Sequence, residues 1–84
     1  METLNRADAL TVLKESLTDI VPDADFDRLR PDDPFRDALE LDSLDFLTLV
    51  EILSQRTGVH IDESDYPRLT TLADSVDFLV ERTG

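Results

Sequence analysis

Residues 41–56, LDSLDFLTLVEILSQR, carry the clearest helical pattern of this 84-residue chain and predict a helix from Ser43 to about Arg56. Apolar residues recur there at spacings of three and four, which places them on one broad face of a helix. That face comprises Phe46, Leu49, Val50 and Leu53. Another side carries Leu44, Leu47, Glu51 and Gln55. Gly58 follows the pattern and predicts a left-handed cap at the end of the helix.

The start of this helix carries two acids and an outward-facing hydroxyl. Asp42 is predicted to cap the helix, and Asp45, three residues later, is predicted to close a capping box. Ser43 follows the cap, so its side chain points outward from the first turn. Free N–H groups and a partial positive charge at a helix start favour a phosphodiester anion there. The same residues also make an ordinary helix cap, so this segment alone leaves both interpretations open.

A first helix is predicted from about Thr3 to Leu17, where neither glycine nor proline interrupts the pattern. Its apolar residues are Leu10, Leu13 and Leu17. Asn5 with Asp8 offers its N-terminal cap.

Residues 19–41 form a long connection that holds three of the four prolines and no glycine. A loop of this length is unusual in a compact domain, so its own apolar side chains must pin it to the core. The candidates are Val21, Phe26, Leu29, Phe35 and Leu39. Residues 34–39 predict a short helical turn, with Asp33 as its cap and Pro34 at the first helical position.

Two further helical pieces are predicted after Gly58. Residues 62–68 are long enough for one or two turns, and Thr70 with Thr71 caps a last helix. The buried face of that helix comprises Leu72, Val76, Leu79 and Val80. No segment shows the alternation of a strand. The fold class is therefore all-α: a small four-helix bundle with a long first loop and a short third helix, in one domain over residues 1–84.

Composition restricts the classes of partner. Twenty acidic residues against 8 basic ones give a net charge of -12, which repels nucleic acid and anionic membranes and attracts basic protein patches. The chain has no cysteine, and its apolar stretches are far shorter than the roughly 20 residues that span a bilayer. We expect a soluble, cytoplasmic monomer without membrane insertion and without nucleic-acid binding.

Neither of two other residue patterns predicts a site. Asp23, Asp25 and Asp27 resemble the start of a calcium loop, but Arg28 replaces its glycine and Pro34 its bidentate glutamate, so we predict no metal site. His60, Asp62 and Ser64 have the residue types of a hydrolytic triad but lie too close in sequence, so His60 is predicted to be a solvated loop residue.

Four aromatic residues are predicted to belong to the core rather than to a platform on which nucleic-acid bases stack; they are Phe35, Phe46, Tyr66 and Phe78.

Four segments in order resemble the acyl carrier protein family: residues 41–45 (LDSLD), 58–63 (GVHIDE), 69–72 (LTTL) and 76–79 (VDFL). The match runs without a gap from Ser43 to the last helix and covers about half of the chain closely. The resemblance implies a four-helix bundle in which a transferase attaches 4′-phosphopantetheine to Ser43. It also implies that the thiol of this arm carries an acyl group as a thioester, and that the helices shelter the chain.

The sequence departs from the family pattern at several positions. Many members have glycine where this chain has Glu40, and the second helix of the family usually carries acids where this chain has Thr48, Ser54 and Gln55. These departures indicate a stand-alone, specialised member, and they put docking to the usual fatty-acid synthesis enzymes in more doubt than modification of Ser43.

The resemblance therefore predicts an acyl carrier, not an enzyme, for fatty-acid, lipid or polyketide-type biosynthesis. Ser43 is the attachment point, and Asp42 and Leu44 complete the cofactor-binding site. The predicted docking residues are Glu40, Asp45, Leu47 and Glu51. The partners are a phosphopantetheinyl transferase and enzymes that load and process the acyl group through basic or apolar patches. Two alternatives stay open: a peptidyl carrier loaded with an amino acid, and an unmodified helical interaction domain.

Overall fold

Helices and the turns between them make up the fold, and the computed structural model describes residues 4–83. The elements are α1 (Arg6–Ile20), α2 (Phe35–Ala38), α3 (Ser43–Thr57), the 3₁₀ helix η1 (Glu63–Arg68) and α4 (Leu72–Thr83). Within the described residues, β pairing is limited to one isolated bridge between Pro34 and Thr71. Over the same range, no helix combines the length and hydropathy that a membrane span requires. The predicted all-α class is confirmed.

Helix α1 begins and ends about three residues later than predicted. The side-chain oxygen of Asn5 accepts the N–H of Asp8 at 2.7 Å, which confirms the predicted cap, while Thr3 lies outside the described residues. The helix continues past Leu17 to Ile20, because nothing in residues 18–20 breaks it before Pro22.

The connection between α1 and α3 is pinned as predicted. Leu29 and Phe35 are buried, whereas Val21, Phe26 and Leu39 are partly buried against the core. The predicted cap of α2 is wrong, since the carboxylate of Asp33 accepts the N–H of Arg30 at 3.0 Å instead. Pro34 takes the cap position, one residue before the place predicted for it. The bridge to Thr71 holds Pro34 in extended backbone, so the helix starts only at Phe35.

The core lies where α1 packs against α3 and α4. Eight large apolar side chains have no exposed surface at all: Leu13, Leu17, Phe35, Leu49, Leu53, Leu69, Phe78 and Leu79. Of the eleven residues assigned to apolar helix faces from the sequence, nine are buried, whereas Val80 and Leu10 are only partly buried. The helical periodicity therefore identified the buried faces, because burial on a helix follows its period.

The caps after α3 follow the prediction with one exception. Gly58 ends α3 at φ 73° and donates its N–H to the carbonyl of Ser54 at 2.9 Å, as predicted. The hydroxyl of Thr71 caps α4 by accepting the N–H of Asp74 at 3.0 Å. Thr70 is not a cap: its hydroxyl donates to the carbonyl of Pro67 at 2.7 Å. Its own carbonyl accepts the N–H of Phe35, which holds Thr70 outside the helix.

Candidate functional site

The first turn of α3 places Ser43 at the protein surface. Asp42 has extended backbone, and its carboxylate accepts the N–H of Asp45 at 2.8 Å. The first intrahelical bond runs from the N–H of Phe46 to the carbonyl of Asp42, at 3.0 Å. The amides of Ser43 and Leu44 precede this bond, so they belong to the free donors of the helix start. Ser43 is exposed beside them.

The predicted capping box at this helix is only half formed. Asp42 receives its bond from the backbone of Asp45, but the hydrogen bonds of residues 4–83 include none from the backbone of Asp42 to the carboxylate of Asp45. Asp45 is half-buried and exposed enough to face a partner. The carboxylate predicted to complete the cap is therefore available for other contacts.

A tight turn after α2 places Asp42 at the N-cap position of α3. The N–H of Leu41 reaches the carbonyl of Arg36 at 2.8 Å, and the N–H of Glu40 reaches that of Asp37 at 3.3 Å. This pair of bonds is the Schellman motif, which requires left-handed backbone at the position of Glu40. Glu40 has φ 56°, the one positive φ outside glycine in the described residues. A glycine would meet this requirement without strain, which explains why the family pattern has one there.

Arg36 packs beside the candidate site, a position that the sequence did not indicate. Its guanidinium lies 4.4 Å from the centroid of the Phe46 ring. A second ring, Tyr66 of η1, meets Phe46 edge-on at 5.2 Å between centroids and 79° between planes. The available signal was a basic residue among the acids that precede Ser43, but its stacking partner lies ten positions later in the chain.

Three of the four predicted docking residues, Asp45, Leu47 and Glu51, lie on α3, and Glu40 lies in the turn before it. Leu44 and Leu47 are the two large apolar residues that stay exposed within residues 4–83, at 74% and 45%. Glu40 and Glu51 are exposed as well. We call Leu44, Leu47, Thr48 and Glu51 the α3 face.

The three positions where the family pattern carries acids hold neutral side chains. The hydroxyl of Thr48 donates to the carbonyl of Leu44 at 3.0 Å, and that of Ser54 to the carbonyl of Val59 at 2.8 Å. Gln55 is exposed. The hydroxyls of Thr48 and Ser54 thus bind nearby backbone carbonyls. From Thr48 to Gln55, α3 carries less negative charge than the family pattern implies.

A groove of about 480 Å³ runs between α3 and η1. It starts at Leu47, one helical turn after Ser43, and Tyr66 of η1 forms part of the opposite wall. Its remaining lining residues are Val50, Glu51, Ser54, Gln55, His60 and Ile61.

Asp65 fastens η1, the wall of this groove, to α4. Its carboxylate accepts hydrogen bonds from the guanidinium of Arg82 at 2.8 and 3.3 Å, and from the N–H of Asp62 at 3.1 Å. The bond from Asp62, together with the charges of Arg82 and Arg68, holds the pKa of Asp65 below its ordinary value, against the opposing effect of burial. Asp65 is therefore a structural anion rather than a docking residue.

The discounted residue sets do not come together as sites in the described residues. The carboxylate of Asp25 accepts the N–H of Asp27 at 3.1 Å and pairs with Arg28 at 3.4 Å. No group of three or more acids, histidines or cysteines within residues 4–83 is placed to hold a metal ion. His60 is exposed, as predicted, and its Nε2 lies 2.7 Å from a carboxylate oxygen of Asp62.

The residues at Ser43 fit the attachment of a phosphodiester-linked arm. The hydroxyl is at the surface, and the two amides beside it have no hydrogen-bond partner among the residues that the structure describes. The turn that carries the hydroxyl is fixed by bonds on both sides. These are features of this chain's own geometry, independent of any family.

Comparison with known proteins identifies the family. Residues 6–79 match the family described as "Phosphopantetheine attachment site". An acyl carrier protein of Rubrobacter xylanophilus is 31% identical over 78 residues, which cover 93% of this chain and 95% of that protein. One from Acidothermus cellulolyticus is 29% identical over 82 residues, covering 95% and 94%. One from Chlorobium phaeobacteroides is 29% identical over 73 residues, covering 83% and 94%.

These matches extend over α1 and the long connection, beyond the half of the chain that carries the sequence resemblance. They favour neither the peptidyl carrier nor the unmodified interaction domain. The chain therefore belongs to the acyl carrier protein family, whose members carry acyl groups on a covalently attached 4′-phosphopantetheine and are carriers rather than catalysts.

Proposed function

We propose that Ser43 is the residue that carries the 4′-phosphopantetheine arm. The observation that carries this proposal is the exposed Ser43 hydroxyl at the start of α3, beside a cap that Asp42 provides by itself. When bound, the arm supplies the thiol that holds the acyl group as a thioester. Asp42 fixes the backbone of the turn that carries Ser43, and the free amides of Ser43 and Leu44 would hold the phosphodiester. The protein presents the arm to partner enzymes and supplies the surface that those enzymes recognise.

The attachment experiment compares three proteins with a phosphopantetheinyl transferase and coenzyme A. Intact-mass measurement should show one arm on the wild type and none on Ser43→Ala. Ser64→Ala is the matched control, because Ser64 is also an exposed serine near the start of a helical segment, η1. An arm that persists on Ser43→Ala would place the attachment elsewhere and contradict the proposal.

We also propose that the α3 face, with Asp45 and Glu40 beside it, docks the transferase and the acyl-processing enzymes. Acids near Ser43 steer basic partner patches during encounter, whereas Leu44 and Leu47 offer apolar surface that can be buried in the complex. Because Thr48, Ser54 and Gln55 are neutral, charge contributes less here than in the family pattern. We infer a specialised docking face that relies more on apolar contact.

Binding kinetics with the chain's own transferase and with generic fatty-acid synthesis enzymes test this face. Leu47→Ala should mainly speed dissociation of a true partner, whereas Glu51→Gln should mainly slow association. Thr48→Glu should improve docking to the generic enzymes. If the wild type binds those enzymes as tightly as a general-purpose carrier does, the specialised face is wrong.

Three further properties stay predictions from the sequence: a single domain over residues 1–84, a monomer, and a cytoplasmic location. Sedimentation of the loaded protein tests the monomer. A concentration-dependent increase in mass would contradict it.

A further inference from the structure

Tyr66 lies between the groove and the core. Its ring forms part of the groove wall and meets the Phe46 ring edge-on, at 5.2 Å between centroids. Phe46 is 3% exposed and packs within the core, with Arg36 over its ring. An alkyl chain that left the groove for the core on this side would have to displace the Tyr66 ring.

The backbone on both sides of Tyr66 is anchored. On one side, Asp65 binds Arg82 and the N–H of Asp62. On the other, Leu69 is fully buried, and Pro67 restricts the backbone between them. Movement of the η1 backbone at Tyr66 therefore requires contacts with α4 to break, and rotation of the ring alone gives up its edge-on contact with Phe46.

The groove outside Tyr66 suits a long alkyl chain poorly. It is open to solvent, and four of its eight lining residues are polar: Glu51, Ser54, Gln55 and His60. A chain lying there would leave much of its surface in water, and the unfavourable free energy grows with every methylene group. A short acyl group has little surface to shelter.

We propose that Tyr66 is a specificity-determining residue that keeps the acyl chain outside the bundle, so that this carrier suits short or polar acyl groups rather than medium or long alkyl chains. The proposal rests on the proposed attachment at Ser43, because the groove begins one turn from that residue. It departs from the shelter between the helices that the family resemblance implies.

The experiment loads the holo protein with acetyl or octanoyl groups and measures thermal unfolding. Intact mass first establishes that each acyl group is attached. The wild type and Tyr66→Phe, which keeps the ring, should unfold at the same Tm with either group. Tyr66→Ala should gain about 4 °C or more in Tm with octanoyl over acetyl, because the chain enters the space left by the ring. In the wild type, the amide resonances of Leu49, Leu69 and Phe78 should not differ between the two acyl groups.

A wild-type Tm that rises with octanoyl, or core resonances that shift, would overturn the role of Tyr66 without any variant. Equal Tm values for both acyl forms of a folded Tyr66→Ala would also overturn it. A wild-type mass without the arm would instead contradict the proposed attachment at Ser43.

In that case, xenon binding to the unloaded protein tests the role of Tyr66, because xenon binds dry apolar cavities. Xenon should bind beside Phe46 in Tyr66→Ala and not in the wild type, and a Tyr66→Ala protein without that site overturns the proposal.

Discussion

The chain begins two helical segments with the same spacing of two aspartates, at 42–45 and at 62–65, and uses the second aspartate differently. At the start of α3, Asp42 caps the backbone of Asp45, and the carboxylate of Asp45 stays near the surface. At the start of η1, Asp65 turns back to the N–H of Asp62 and is buried against Arg82.

A partner from another helix causes this difference. Arg82 of α4 lies over the ring of Phe78 at 4.8 Å, and from there its guanidinium reaches Asp65. No arginine is paired with Asp45 among the ion pairs of the described residues. The same local pattern thus gives a buried carboxylate paired with Arg82 at η1 and an exposed turn at the start of α3.

Loss of the Asp65 carboxylate should have the largest effect on stability. Asp65→Asn leaves Arg82 without its anionic partner and weakens the bond to Asp62, so Tm should fall more than for any other variant named below. Asp45→Asn is the matched control and should stay within about 4 °C of the wild type. Thermal melts of both variants make the comparison. Equal losses would mean that the two aspartates play the same role.

The loss of stability in Asp65→Asn should depend on pH. The pKa of Asp65 is lowered in the folded protein, so its contribution to stability is fully present above the ordinary value of about 3.9 and is lost as the pH falls through the folded value. The difference in Tm between wild type and Asp65→Asn should therefore be constant above about pH 5 and should shrink below about pH 4. A difference that grows on acidification would contradict the assignment.

Removal of the cap at α3 should have a moderate effect. Asp42→Ala should lower the free energy of unfolding by about 1 kcal/mol, or about 4–8 °C in Tm, because the N–H of Asp45 loses its acceptor. Ser43→Ala should change it by only a few tenths of a kcal/mol, because Ser43 is not the cap. Denaturant unfolding of both variants measures this. A loss in Ser43→Ala as large as that in Asp42→Ala would mean that the hydroxyl stabilises the turn.

The smallest expected effect is a gain in stability at the turn before Asp42. Glu40→Gly should raise the free energy of unfolding by about 0.5–1 kcal/mol, because left-handed backbone costs about 1–2 kcal/mol outside glycine and the freer unfolded chain offsets part of the gain. Glu40→Ala is the control and should bring no such gain, since alanine keeps the strain. If both substitutions stabilise equally, relief of acidic repulsion rather than backbone strain is the cause.

Much of the candidate site could be predicted from the sequence, because its geometry depends on nearby residues. The cap by Asp42, the exposure of Ser43 and Leu44, and the end of α3 at Gly58 all result from bonds within a few positions. The wrong cap assignments, in contrast, have a cause that is distant in sequence. Asp33 and Thr70 have the residue types of caps, but the bridge between Pro34 and Thr71 holds the backbone nearby in an extended form.

Local sequence patterns were enough to predict the α-helical class, the buried helix faces and the capped turn at Ser43, because helical period and end caps are properties of short segments. Three contacts depend on tertiary packing: Arg36 lies over Phe46, Tyr66 meets Phe46 edge-on, and Asp65 is buried against an arginine 17 positions away. No local pattern specifies these pairs. Each forms only when packing of the helices brings separate segments within contact distance.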